Sequence, residues 1–336
     1  MSTKLSLLKI LSENKSNYIS GQELAAQLGV SRNSVWKAIK KLQEQGYRID
    51  SRPATGYRLI DSGDVISPDY IRENISHPCS VHVVEKTDST NNLAKAIKDC
   101  SVPQIIISNE QTAGRGRLGR SFHSPVGAGL YMTIAFQPDF GLDRAMLTTA
   151  MSAVAATRAI EKVTGLRTRI KWVNDIYLGG KKVCGILTEA ESNFETGRIE
   201  KIIVGAGINC FNVPFPDELK EVATHLENPL QPFSRNELAV AFANEFFEML
   251  QNFDKKSMLL EYRTRSFILG EQILIFNPAV ARSIGRPENR INEGIRARAI
   301  DIDDNGGLVV EFLEGRRSRE METLTTGEIT VRRAYD

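Results

Sequence analysis

The segment Gly114-Arg115-Gly116-Arg117-Leu118-Gly119-Arg120 sets three guanidiniums on a glycine-rich, pliable backbone. Such a loop suits an anion, because the planar guanidinium fork matches both carboxylate and phosphate oxygens. Gly114, Gly116 and Gly119 also satisfy G-x-G-x-x-G after the strand-like Ile105-Ile106-Ile107, which raises a dinucleotide-binding fold. The context argues otherwise. A dinucleotide loop opens a helix, whereas Ser124-Pro125-Val126-Gly127-Ala128-Gly129 leads into the strand-like run Leu130-Tyr131-Met132-Thr133-Ile134. A kinase glycine loop fits poorly as well, since no His-Arg-Asp sequence follows it. The spacing predicts a loop that is mobile until an anion neutralises it and then closes. A solvated basic loop without function is the plain alternative.

A second cation sits in Arg169-Ile170-Lys171-Trp172-Val173-Asn174-Asp175-Ile176-Tyr177-Leu178, followed by Gly179-Gly180 and then Lys181 to Glu189. A glycine pair between two alternating runs is a hairpin signal. Farther along stands Val204-Gly205-Ala206-Gly207-Ile208-Asn209, and upstream stand Asp88-Ser89-Thr90-Asn91 and Glu110-Gln111-Thr112-Ala113. In this order, from about residue 84 to 212, these motifs resemble the biotin protein ligases. The N-terminal region described below narrows the resemblance to the bifunctional bacterial form that is also the biotin operon repressor.

The resemblance implies two steps at one site. The carboxylate of biotin attacks the α-phosphate of ATP to form biotinyl-5′-AMP, and an acceptor lysine then attacks that adenylate. The first step brings two anions together, and such chemistry needs preorganised cations. Arg115 and Arg117 are implied at the biotin carboxylate and the phosphate, Arg120 at the adenylate phosphate, and Lys171 as the bridge between carboxylate and α-phosphate. Asp175 is implied to orient or deprotonate the incoming lysine, with a hairpin cap as the alternative. Ser89, Thr90 and Gln111 match positions that hold the ureido head of biotin, with Asn91 and Gly114 beside them; Tyr131, Gly185, Leu187, Gly205 and Gly207 match the pocket walls. Ser89 and Thr90 have a second reading as helix caps. Asn174 and Asn209 join Arg117 and Arg120 on the adenylate side. Mg²⁺ is implied by the nucleotide chemistry, with ligands the sequence does not identify. Trp172 is read as a packing residue. The chain departs from the family pattern at Val173, where proline is common, at Phe122-His123-Ser124-Pro125, where a tryptophan is usual, and after Asn209, where Cys210-Phe211-Asn212 offsets a second asparagine. None of these removes a charged group.

Positioning these groups is the work of a chain of 336 residues, 41% hydrophobic and 25% charged, which suggests two or three soluble domains. No apolar run approaches the ~20 residues that span a bilayer, and no cleavable signal pattern opens the chain, so a cytoplasmic location and no membrane partner are expected. Cys79, Cys100, Cys184 and Cys210 are scattered, and His77, His82, His123 and His225 form no ligand cluster, which argues against a zinc site.

The formal net charge of +2 hides an asymmetry: residues 1 to 60 hold ten Lys and Arg against four Asp and Glu, a net of +6. That basic part is a candidate for nucleic acid. Ser20 with Glu23 makes a capping box that starts a helix through Leu28, Gly29 turns the chain, and Ser31 caps the next helix. On that second helix Val35, Ile39 and Leu42 share one face, which leaves Ser31, Arg32, Asn33, Ser34, Lys37 and Lys41 for DNA. Trp36 is read as core. Tyr47-Arg48-Ile49 and Tyr57-Arg58-Leu59-Ile60, joined across Pro53 to Gly56, complete a winged helix; a wing used only for packing is the alternative.

After a polar linker from Asp61 to Ser67, Ser67-Pro68 opens a helix. Strands are expected at Val81 to Lys86 and Gln104 to Glu110, helices at Thr90 to Lys98, Leu142 to Val163 ending at Gly165, and Ser234 to about Gln251. Hairpin connections predict a mixed or mainly antiparallel sheet with helices on one face, an α+β fold like the class II synthetase-like core of these ligases. Short strands at Ile273 to Phe276, Ala297 to Ile302, Leu308 to Phe312 and Glu328 to Arg332, with a turn at Asn305-Gly306-Gly307 and a long one from Asn277 to Asn292, fit a small barrel. Thr325-Thr326-Gly327-Glu328-Ile329 resembles the C-terminal SH3-like domain of the same ligases. The expected domains are 1–62, a winged helix-turn-helix; 63–268, the biotin- and ATP-binding core; and 269–336, the SH3-like β-barrel.

The resemblance further implies an acceptor, the biotin carboxyl carrier domain of acetyl-CoA carboxylase or pyruvate carboxylase, an inverted-repeat operator, and a homodimer formed on ligand binding. Two other readings stand beside it: a metabolite-sensing regulator without ligase activity, and a lipoate ligase on the same catalytic fold.

Overall fold

A computed structural model describes residues 3–14, 17–44, 47–193, 195–285, 287, 293–325 and 330–333. The winged unit comprises α1 (Thr3–Glu13), α2 (Gly21–Leu28), α3 (Arg32–Glu44), β1 (Tyr47–Arg52) and β2 (Gly56–Asp64). Its starts and stops are local. Ser20 Oγ accepts the Glu23 N–H at 3.1 Å, and left-handed Gly29 ends α2. Leu7, Leu8 and Leu11 of α1 pack with Leu24, Val35, Ile39, Leu42 and Ile49 as a core of their own. Two expectations change. Trp36 is 49% exposed with Lys40 Nζ over its ring, because it falls beside the face that Val35, Ile39 and Leu42 bury and not on it. The linker expected from Asp61 is shorter, since β2 continues to Asp64, which pairs with Tyr47.

The central unit runs α4 (Pro68–Asn74), β3 (Ser80–Thr87), α5 (Thr90–Ala96), β4 (Gln104–Gln111), β5 (Gly129–Phe136), α6 (Leu142–Thr164), β6 (Arg169–Lys171), β7 (Asp175–Leu178), β8 (Lys181–Ser192), β9 (Ile199–Asn209), α7 (Arg235–Gln251) and α8 (Lys255–Arg265). Its seven strands order as β3-β4-β5-β9-β8-β7-β6, with β3 and β4 parallel and the other neighbours antiparallel. The sheet is therefore mixed. Period-two alternation sends Leu130, Met132, Ile134, Val204, Ala206 and Ile208 into one core with α4, α6, α7 and α8. The helices do not all share that face. Ala94 of α5 packs on the other side against Ile106, Ala135 and Ile203, since those residues point opposite to their strand neighbours.

The remaining elements are β10 (Gln272–Phe276), α9 (Pro278–Ser283), β11 (Ile295–Ile302), β12 (Leu308–Phe312), β13 (Met321–Leu324) and β14 (Thr330–Arg333). They form a five-stranded antiparallel sheet ordered β13-β12-β11-β10-β14. Within the long turn expected from Asn277, that residue caps the short helix α9; residues 286 and 288–292 of it, and 326–329 of the expected final motif and strand, lie outside the described residues. The buried side chains of this sheet, among them Ile275, Val310 and Phe312, continue the central core. Trp172 is 5% exposed and donates its indole N–H to the Gly306 carbonyl at 2.9 Å, which ties the two sheets together. Among the described residues, no helix is long and apolar enough to cross a membrane.

Candidate functional site

Strand register assembles the site. Tyr131 pairs with Gly207, Gly207 with Gly185, Gly185 with Asp175, and Asp175 with Lys171, so one row crosses five strands. The next row of the same face carries Thr133, Gly205 and Leu187. Residues two apart on a strand share a face, so the glycines separated by Ala206 form a continuous floor. Side chains occupy the space those glycines leave. A Cβ on Gly207 would meet the Phe122 ring at 2.5 Å, and one on Gly205 would meet Asn91 Oδ1 at 2.2 Å. Glycine is required at both places by close approach, not by backbone angle.

At one end of the floor lies a buried polar network. Ser89, Thr90 and Asn91 at the start of α5 are 2%, 3% and 4% exposed. The Thr90 amide and hydroxyl both donate to Gln111 Oε1, at 2.8 and 3.1 Å, and Gln111 Nε2 donates to Ser124 Oγ at 3.0 Å. Thr133 Oγ1 lies 2.7 Å from both Thr90 Oγ1 and Asn91 Oδ1. Ser89 occupies the cap position of α5 yet makes no side-chain cap bond, so capping does not explain it. Tyr131 donates to the Pro125 carbonyl at 2.9 Å, and burial pushes its phenol pKa far up, which keeps it a neutral wall residue.

The arginine loop folds over this floor with hydrogen bonds of its own. Phe122 N–H donates to Gly114 O at 2.8 Å and Gly116 N–H to Arg120 O at 2.7 Å, so the loop's order does not rest wholly on an anion. A Cβ on Gly114 would meet the Phe122 carbonyl at 2.4 Å. Arg117 Nη1 donates to Asn174 Oδ1 at 3.3 Å, and Asn174 Nδ2 donates to Ile186 O at 2.7 Å, which brings together two residues expected on the adenylate side. Burial lowers the Arg117 pKa against the opposing influence of Asp175 and Tyr262, the sign of a cation partly stripped of water. The Arg120 side chain is exposed. Arg115 reaches Asn92 Oδ1 at 3.1 Å and Glu189 at 3.2 Å.

Lys171 and Asp175 face each other across the turn Trp172-Val173-Asn174, which splits the expected single run into β6 and β7. Lys171 Nζ stands 5.4 Å from the centre of the Tyr177 ring. Asp175 is held by Lys182 at 2.6 Å, and Lys182 also lies over the Phe122 ring. Buried Tyr262 donates to the Val173 carbonyl at 2.8 Å and so supports the turn. Asn209 continues the face two residues beyond Gly207 and donates to Thr224 O at 3.1 Å.

Sequence reasoning missed Asn92, Thr133, Lys182 and Glu189. Thr133 and Glu189 carry a local signal, their alternation with Tyr131 and Leu187; Asn92 and Lys182 are marked by the contacts the fold gives them. In the winged unit Ser31, Arg32, Asn33, Ser34, Lys37 and Lys41 are all exposed, and Ser31 Oγ accepts the Ser34 N–H at 3.1 Å. Arg52 and Arg58, beside the wing tip, stack over Tyr18 at 4.8 and 4.6 Å.

The chain thus joins a winged helix to a glycine-floored site of buried polar groups under an arginine loop. The sequence pattern of the biotin/lipoate A/B protein ligase family matches residues 82–209, and that of a helix-turn-helix domain matches residues 3–58. The bifunctional ligase/repressor BirA of Bacillus subtilis (strain 168) is 33% identical over 318 residues, 92% of this chain and 94% of that one. BirA of Escherichia coli (strain K12) is 32% identical over 324 residues, 94% of this chain and 96% of that one. A structure of the biotin protein ligase from Aquifex aeolicus in complex with biotin and ATP superposes with a TM-score of 0.60 at 25% identity, covering 76% of this chain and 99% of that one. The chain belongs to the family of bifunctional biotin protein ligases and repressors within the biotin/lipoate A/B protein ligases.

Proposed function

We infer that the chain is an ATP-dependent biotin protein ligase and a transcriptional repressor of biotin genes. The observation that carries this reading is the single cross-strand row from Tyr131 to Lys171, with the arginine loop above it, in a chain similar over 92% of its length to a bifunctional ligase/repressor. Thr90, Gln111, Asn91 and Ser89 form a fixed set of donors and acceptors suited to a ureido head, and Gly205, Gly207, Gly185, Leu187 and Tyr131 line the apolar path of the side chain. Gly114 lets the loop close against Ser124. Arg115 takes the biotin carboxylate, and Arg117, Arg120, Asn174 and Asn209 lie on the adenylate side. Lys171 bridges carboxylate and α-phosphate as the carboxylate oxygen attacks phosphorus and pyrophosphate departs. In the second step the acceptor amine attacks the biotinyl carbonyl and AMP leaves. Asp175, paired with Lys182, orients that amine.

ATP enters as its magnesium complex. The acceptor is a biotin carboxyl carrier domain, of acetyl-CoA carboxylase or pyruvate carboxylase, in the cytoplasm. Biotinyl-AMP acts as corepressor by favouring a homodimer that sets two winged helices on an inverted repeat, since two linked sites gain effective concentration without new contacts. Domain limits of 1–62, 63–268 and 269–336 suit this division of labour, with an SH3-like barrel at the C-terminus. A lipoate ligase and a sensor without ligase activity are less suited: full-length similarity runs to bifunctional biotin ligases, and a pure sensor does not need Lys171. The test is Lys171→Ala, expected to lower pyrophosphate release with biotin and ATP by roughly 10²- to 10³-fold while the protein stays folded and still binds biotin. Near-normal release removes Lys171 from the chemistry.

A further inference from the structure

Glu189 lies on β8 two residues beyond Leu187, on the same face as the pocket floor, and gathers three partners, two from α5 and one from the arginine loop. Lys95 Nζ is 2.8 Å from its Oε1, and Asn91 Nδ2 donates to its Oε2 at 2.9 Å. Arg115 approaches with Nη2 at 3.2 Å from Oε1 and Nη1 at 3.4 Å from Oε2. The guanidinium is thus the most loosely held of the three. The carboxylate stays ionised: burial raises its pKa, but bonds from Lys95 and Asn91 and the charges of Lys95 and Arg115 outweigh that and lower it.

We propose that Glu189 is a positioning residue that competes with the biotin carboxylate for Arg115 and thereby sets biotin affinity. This rests on the assignment of Arg115 to that carboxylate. An entering carboxylate must take the guanidinium from one that already holds it. The exchange is inexpensive, because Glu189 retains the Lys95 ammonium and the Asn91 amide and is not left buried and unpaired. Asn92, whose Oδ1 accepts from the same Nη1 at 3.1 Å, adds to the hold on the guanidinium. Lys95 has the opposite influence, since by sharing Glu189 it weakens the hold on Arg115. Glu189 also keeps Asn91 turned so that Oδ1 faces Thr133 and the Gly205 floor.

The signs separate this role from a structural one. Glu189→Gln keeps an acceptor for Asn91 but drops the charge, and is expected to tighten biotin binding by two- to fivefold, the range of a partly exposed ion pair. Asn92→Ala, which changes no charge, is expected to tighten it in the same sense. Lys95→Met is expected to weaken it about twofold or more. Biotin affinity of the full chain is measured by calorimetry for these variants, for Arg115→Ala, and for Glu189→Gln combined with Arg115→Ala. Competition requires that the gain from Glu189→Gln disappears in the Arg115→Ala background. A gain that persists there is a diffuse field effect, and a loss or no change from Glu189→Gln alone is a structural role; either overturns the proposal. If Arg115→Ala itself leaves biotin affinity unchanged, the assignment of Arg115 fails and the competition falls with it. If Arg115→Ala weakens binding but shows no coupling to Glu189, only the competition fails.

Discussion

The two recognition surfaces of this protein are built in opposite ways. On α3 the candidate DNA-contacting groups are exposed side chains on a helix that keeps Val35, Ile39 and Leu42 buried. On the central sheet the pocket is made of backbone and register: remove the glycines at 205 and 207 and Asn91 and the Phe122 ring have nowhere to lie. The first surface should tolerate change and respond additively, with strong salt dependence, as charge contacts to a polyanion do. The second should respond abruptly, because a close-packed floor has no room to adjust. The difference teaches where specificity resides: in the sheet it is steric and fixed, on the helix it is electrostatic and graded.

Removing residues 1–62 tests that division most severely. Operator binding should vanish, while biotin-dependent pyrophosphate release persists, because every anion-binding group assigned to the ligase lies beyond residue 88. Loss of release from a folded truncated protein, which also lacks the Lys4 and Tyr47 contacts to Glu237, would show the two surfaces to be one unit. Next in size is Gly207→Ala. The added methyl collides with Phe122, an overpacking cost of about 1–3 kcal/mol, so biotin binding should weaken by about tenfold or more in titration calorimetry. An unchanged affinity would mean the floor is pliable.

On the other surface, Lys37→Ala and Lys41→Ala should each weaken DNA binding several-fold and reduce the slope of log affinity against log salt by about 1, with no effect on adenylate formation. An unchanged slope removes those lysines from the phosphate contacts. Trp172→Phe deletes the indole donor to Gly306 and should cost about 1 kcal/mol in urea unfolding, reporting on the joint between the two sheets. Smallest of all, Trp36→Ala should change stability by less than about 0.5 kcal/mol because half the side chain already faces water. A larger loss would place Trp36 in the core after all.

Elements whose ends carry their own hydrogen-bonding signals were legible in the sequence. Ser234 and Glu237 form the reciprocal capping box that starts α7, Ser67 with Pro68 opens α4, and Gly165 closes α6 in the left-handed conformation. Gly179 and Gly180 take positive φ between β7 and β8, as a two-residue hairpin turn demands. Two helices are less legible: α1, which begins at Thr3 with no acidic residue in its first turn, and α8, whose Asp254 cap stands before the polar stretch Lys255-Lys256-Ser257. The sequence presents Arg169 to Leu178 as one alternating run, whereas the turn from Trp172 to Asn174 rests on tertiary contacts with Tyr262 and Gly306 that no neighbouring residue supplies.

By itself the sequence determined the family, the types of the charged groups, and the alternation that puts Tyr131, Gly205, Gly207 and Gly185 on one face, because motif order and period-two patterning are properties of short segments. Tertiary structure alone decided that those strands align in one row ending at Lys171, that α5 crosses to the pocket side of the sheet, and that Trp36 faces water. It alone joined Glu189 to Asn91, Lys95 and Arg115, residues 98, 94 and 74 positions away. The physical reason is range: caps and turns are settled by neighbours in the chain, whereas a carboxylate acquires its partners only when sheet register and helix packing bring distant cations within hydrogen-bonding distance.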